Sequence, residues 1–183
     1  MNKIRMIALA ACMAATLDAS AQEQEIRLFS HRGGRMEHDE NTFSAFQASY
    51  DAGYRGFETD IRMTRDGALV ITHDSSLERT TDGTGTVEEK TEAEIRQLAT
   101  KQGNKMMFLD ELLEFLEGKE GLYVEFEMKT KPEALYPEER LHAYCDKLYD
   151  AVMAVKPADA TFVFTSGDYR GLRYLQAQHP GVD

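Results

Sequence analysis

Tyr54-Arg55-Gly56-Phe57-Glu58-Thr59-Asp60-Ile61 reads as a short strand whose apolar pattern is broken by two acids. Side chains along a strand alternate between faces, so Glu58 and Asp60 share one face. On a solvent-facing strand end they would be ordinary surface acids. Inside a barrel that face is the lumen, where two unpaired carboxylates are costly. A bound divalent cation removes their repulsion and offsets the lost hydration. Oxygen-only ligands suit a hard ion such as magnesium or calcium.

The pattern continues on both sides. Upstream, Ile26 to Ser30 is a strand candidate that ends at His31-Arg32-Gly33-Gly34. Downstream, Thr64-Arg65-Asp66-Gly67 reads as a tight turn. Ala68 to Thr72 follows as a third strand and delivers His73-Asp74. Leu122 to Met128 is a fourth, with Tyr123, Glu125 and Glu127 alternating against Val124, Phe126 and Met128. Glu125 and Glu127 both qualify as a third acid, and spacing leaves that choice open. Thr161 to Thr165 is a fifth strand.

Helical stretches lie between them. One starts after Asn41 or Thr42, either of which can cap it, and places Phe43, Phe46, Ala48 and Tyr50 near one face. Thr91 to Ala99 and Leu109 to Glu117 are short helix candidates. A helical region in two pieces around Pro137 runs to Val155, and a last helix covers Tyr169 to Gln178. The segment 75–91 is rich in Gly, Thr and charge and reads as an exposed, turn-rich loop. Its glycines lack the lysine and following helix of a nucleotide cradle.

Strands alternating with helices argue for a parallel α/β sheet. The polar residues gather at the carboxyl ends of the strands, where α/β barrels place their active sites. On parallel strands His31 and His73 share one rim. Histidine titrates near neutral pH, so such a pair serves as general base and general acid. Arg32 has the planar fork that grips phosphoryl oxygens.

Composition narrows the partners. The formal net charge is -11 and no Lys/Arg-rich stripe is present. Nucleic-acid binders carry a basic face, so nucleic acid is excluded as the expected partner. The first 21 residues read as a secretory signal peptide: basic Lys3 and Arg5, the apolar run Met6 to Leu17, then Ala19-Ser20-Ala21 before Gln22. Residues 22–183 read as the N-terminal part of one α/β domain. The expected location is periplasmic or secreted, with no stable membrane insertion once the leader is removed. An alternative reads Leu9-Ala10-Ala11-Cys12 as a lipid-modification box. Cleavage after Ala21 leaves Cys145 alone, so it reads as a buried small hydrophobe.

The ordered segments His31-Arg32-Gly33, Glu40-Asn41-Thr42, Glu58-Thr59-Asp60, Thr64-Arg65-Asp66-Gly67, His73-Asp74, Leu77-x-Arg79-Thr80-Thr81-x-Gly83-x-Gly85, Leu109-Asp110-Glu111-Leu112-Leu113 and Glu127-Met128-Lys129 closely resemble the glycerophosphodiester phosphodiesterase family. The resemblance is strongest from Ile26 to Lys129. It implies a TIM-type α/β barrel of eight strands, of which this chain offers about five. It also implies a small insertion after the third strand, roughly Ser75 to Lys105. By resemblance His31 and His73 are the acid–base pair, and Glu58, Asp60 and Glu127 hold one calcium or magnesium ion. Arg32 and Lys129 match positions near the phosphate, and Glu40 and Asn41 fall on a motif beside the site. The implied reaction converts small-molecule glycerophosphodiesters into sn-glycerol 3-phosphate and an alcohol. A related barrel acting on lysophospholipids or sphingomyelin by internal transfer, or a non-catalytic envelope binding protein, would look similar. Two segments depart from the family pattern: Asp39 stands where a proline is usual, and Met107-Phe108 where Ile-Pro is usual.

Overall fold

The computed structural model describes residues 27–182, so the leader and its lipid-box alternative lie outside the described residues. In chain order the elements are β1 (Phe29–His31), α1 (Phe43–Asp51), β2 (Gly56–Met63), β3 (Leu69–Ile71), α2 (Glu92–Ile95), α3 (Leu109–Leu116), β4 (Tyr123–Met128), α4 (Glu138–Val155), β5 (Thr161–Thr165) and α5 (Tyr169–Gln178). Four strands lie parallel in the order β1-β2-β4-β5.

The third strand departs from expectation. β3 runs antiparallel to β2, pairing Ile61 with Ile71 and Met63 with Leu69. It is a return strand along the protruding end of β2, not another parallel strand. The turn explains why: a parallel crossover needs a dozen or more residues, whereas Thr64 to Ala68 is hairpin length. The return still carries His73 back to the rim, where the Thr72 N–H donates to the Asp60 carbonyl at 2.9 Å.

Beyond its pairing with β4, the upper end of β2 needs other partners for its backbone. The α4 region supplies them. The Tyr144 hydroxyl donates to the Ile61 carbonyl at 2.9 Å, and the Met63 N–H donates to the Tyr136 hydroxyl at 3.0 Å. The Arg140 Nη2 donates to the carbonyls of Met63 and Thr64.

One face of the sheet is apolar. Phe57, Ile61, Val124, Phe126, Phe162 and Phe164 pack under the helices in one core. α4 contributes Leu141, Tyr144, Cys145, Leu148 and Val152, the three-and-four spacing of a single helical stripe. Each large apolar chain buried this way stabilises the fold by roughly 1.5–3 kcal/mol. Cys145 is fully buried, as expected. α1 differs in detail, for it buries Ala45, Phe46 and Ser49 while Phe43 remains exposed. Among the described residues no helix is long and apolar enough to cross a membrane.

The turn-rich segment is not simply exposed. Leu77, Val87 and Ile95 close with Val70, Met106 and Phe108 into a second, smaller core. The Met107-Phe108 departure fits this arrangement, since Met107 belongs to the main core and Phe108 to the small one. Asp39 also gains a reason: its Oδ2 accepts from Asn104 Nδ2 at 2.9 Å and from the Thr100 hydroxyl. It pins the loop preceding α1 to the insertion.

Candidate active site

The opposite face of the sheet carries the acids. β2 and β4 pair in a register that sets Asp60 beside Glu127 and Glu58 beside Glu125. Glu58, Asp60 and Glu127 each bring one carboxylate oxygen to within 4.8 Å of the others. Glu125 sits one row nearer the strand start and is not in this group. Glu58 Oε1 and Asp60 Oδ1 are buried and accept no hydrogen bond. Buried acceptors left this way are costly, and a hard cation would satisfy them. Lys129 Nζ supplies positive charge here, 3.2 Å from Asp60 Oδ1 and 2.6 Å from Glu127 Oε1. Burial, reinforced by the Asp60 charge, pushes the Glu58 carboxyl up to about 8. The three carboxylates thus fit a hard divalent ion by donor type, and Glu58 Oε1 is left with no partner of its own.

The loop after β1 wraps this cluster. His31 is the last residue of β1, in register with Glu58, and its Nε2 lies 3.5 Å from Glu58 Oε2. Arg32 adopts φ 55° and Asn41 φ 59°, conformations that non-glycine residues rarely hold without a reason. Arg32 turns so that its N–H meets the Glu58 carbonyl at 3.0 Å and Glu58 Oε2 at 3.2 Å. Its buried guanidinium lies 3.2 Å from both Glu40 Oε1 and Asp60 Oδ2. Asn41 Nδ2 donates to Asp60 Oδ2 at 2.9 Å, while Thr42 takes the capping position of α1. That divides the work between the two cap candidates.

Gly33 makes the wrap feasible. Its φ is +74°, and an added Cβ would stand 2.9 Å from Ala45 Cβ and 3.0 Å from the Phe46 nitrogen. Gly33→Ala is expected to lower stability by about 1–3 kcal/mol, read as a shifted urea midpoint with unchanged slope.

His73 reaches the rim with its own support. Its Nδ1 lies 2.6 Å from Asp74 Oδ1. The other Asp74 oxygen accepts from Arg79 Nε. Arg79 then donates through Nη1 and Nη2 to Glu40 at 3.0 and 2.7 Å. Burial works to raise the Asp74 pKa, but hydrogen bonds from Arg79 and His73 outweigh it and hold the group below its ordinary value. The Arg79 hydrogen bond likewise leads in depressing Glu40. A chain of contacts therefore runs from the His73 ring through Asp74, Arg79, Glu40 and Arg32 to Asp60. The motif around Arg79 shows no role for it, because nothing in local sequence places it against Glu40. At His31, partial burial and then the charges of Arg32 and Arg35 lower the pKa, which favours the neutral imidazole. His73 is close enough for its charge to act in the same direction.

Acids, imidazoles and guanidinium groups gathered at the carboxyl ends of parallel strands are the equipment of an α/β barrel that handles phosphate esters. Residues 31–182 match the glycerophosphoryl diester phosphodiesterase family, and the chain belongs to it. A glycerophosphodiester phosphodiesterase of Caldanaerobacter subterraneus is 36% identical over 123 residues, 62% of this chain and 50% of that protein. Among solved structures, a glycerophosphodiester phosphodiesterase from Agrobacterium tumefaciens superposes with a TM-score of 0.70 at 28% identity, covering 86% of this chain and 65% of the other. An Oleispira antarctica phosphodiesterase in complex with the product sn-glycerol-3-phosphate gives 0.75 at 26%, covering 85% and 63%. The fold is the TIM-barrel type of this family. The chain spans about half the length of the curated relatives it matches.

Proposed function

We propose that the protein hydrolyses glycerophosphodiesters to sn-glycerol 3-phosphate and an alcohol, assisted by one calcium or magnesium ion. The observation that carries this reading is the meeting of Glu58, Asp60 and Glu127 within 4.8 Å beside His31. Family membership and the product bound by the Oleispira antarctica relative support the substrate class.

Glu58, Asp60 and Glu127 are the residues that would hold the ion. When bound, it supplies Lewis-acid stabilisation of charge developing on the phosphoryl oxygens. His31 and His73 move the protons: one takes a proton from the attacking oxygen and the other gives one to the leaving alkoxide. The lowered His31 pKa suits the base role, and the Asp74 contact at Nδ1 fixes which face of His73 is free. Arg32 holds Asp60 and Glu40 in place, and the substrate phosphate would lie beside its guanidinium. Lys129 neutralises the acids from the other side. We extend the proposal to export, on the strength of the Lys3-to-Ala21 leader.

Release of sn-glycerol 3-phosphate from glycerophosphocholine, with and without a chelator, tests the reaction. Turnover should vanish with the chelator and return with calcium or magnesium. His31→Ala and His73→Ala should each lower kcat by about 10²–10⁴-fold with the fold intact. An undiminished rate in His31→Ala would sink the acid–base assignment.

A further inference from the structure

Arg62 continues the alternation of Glu58 and Asp60 on the same face of β2, one step beyond the acids. It is 6% exposed, as is Glu88, and the two form an ion pair at 2.7 Å. Glu88 belongs to the insertion, 26 residues away in sequence. A buried pair of this kind adds little net stability, because desolvation offsets the attraction. Its hydrogen bonds suggest another use. Arg62 Nε donates to the carbonyl of His73 at 3.0 Å. Its Nη1 also reaches the carbonyls of Lys129 and Lys131 at 3.1 and 3.2 Å. Glu88 accepts from the Ser75 hydroxyl at 2.7 Å and from the Tyr136 hydroxyl at 3.1 Å.

One buried guanidinium thus holds the main chain at two site residues that arrive on different elements. His73 comes from the end of β3 and Lys129 from the end of β4. The carboxylate that fixes the guanidinium is itself fixed on both flanks, beside His73 through Ser75 and beside α4 through Tyr136. We infer that Arg62 and Glu88 are positioning residues that clamp the insertion to the barrel and set where His73 and Lys129 stand at the site. A lysine at position 62 would keep the charge, but a point ammonium cannot span this spread of acceptors.

The catalytic part of the test rests on the proposed phosphodiesterase reading. Arg62→Lys and Glu88→Gln should each lower kcat on glycerophosphocholine by about 10–100-fold, the scale of an ångström of misplacement, with KM within about threefold. A second readout needs no turnover: the imidazole ¹⁵N shifts of His73, which report its tautomer. In the parent protein they should show one tautomer held by Asp74, and in both variants a mixture. An unchanged His73 signal in the folded variants, or an unchanged kcat in an active protein, overturns the inference. Glu88→Gln is nearly isosteric and carries the test if Arg62→Lys does not fold. If the parent protein does not hydrolyse glycerophosphocholine, the proposed function fails while the His73 signal still decides the inference.

Discussion

Asp60→Asn is expected to weaken calcium or magnesium binding by at least about 100-fold, since even removing an outer partner of a metal ligand commonly costs 10–100-fold. The side chain is fully buried and meets Arg32, Asn41 and Lys129. Asparagine keeps its volume but removes the negative charge that both cations face. Breaking a buried ion pair from one side costs about 3–5 kcal/mol. The low end, about 3 kcal/mol, applies here because Arg32 retains Glu40 and Lys129 retains Glu127. Calorimetric titration with each ion, alongside urea unfolding in chelator, separates the two effects. Unchanged ion affinity would remove Asp60 from the ligand set. Unchanged stability would mean the two cations have found other partners.

Much of this was legible in the sequence, and what was missed has physical reasons. β5 and α5 fall on the expected residues, and α4 begins after Pro137, because periodicity and proline chemistry act locally. The acids were legible because two carboxylates on one face of an apolar strand are unusual, and alternation needs no knowledge of the fold. Spacing could not separate Glu125 from Glu127, and the register sets each beside an acid of β2; the convergence of Glu127 with both Glu58 and Asp60 separates them. The direction of β3 is not legible in its own residues, because Leu69-Val70-Ile71 looks the same in either direction. The informative signal was the short turn before it. Arg62 was also readable in principle, as the next residue on the face of Glu58 and Asp60. Its partner Glu88 was not, since a pair formed across a folded insertion leaves no local pattern. The same holds for Arg79 and Glu40, which meet 39 residues apart.

Glu58 gives the other large effect, a fall in ion-free stability as pH rises. Its carboxyl is raised from 4.5 to about 8, first by burial and then by the Asp60 charge. Below about pH 4.5 the group is protonated in both folded and unfolded chains and favours neither. Between about 4.5 and 8 the folded chain holds a proton that the unfolded chain has released. Stability must then fall as pH rises, and level off once the folded group also ionises. At about 1.4 kcal/mol per unit, the loss approaches about 5 kcal/mol across that window. Urea unfolding in chelator at stepped pH reads it directly. Saturating calcium or magnesium should flatten the profile, because the ion binds the ionised carboxylate and stabilises only the folded chain. Binding near neutral pH should release a proton, visible as a buffer-dependent heat. Asp60→Asn removes the second cause of the shift but not the first, so its window should narrow from the alkaline side and not close. A flat ion-free profile would mean that Glu58 is already ionised in the fold. It would then be stabilised by its partners at Oε2, the His31 imidazole and the Arg32 N–H, together with the charge of the Arg32 guanidinium.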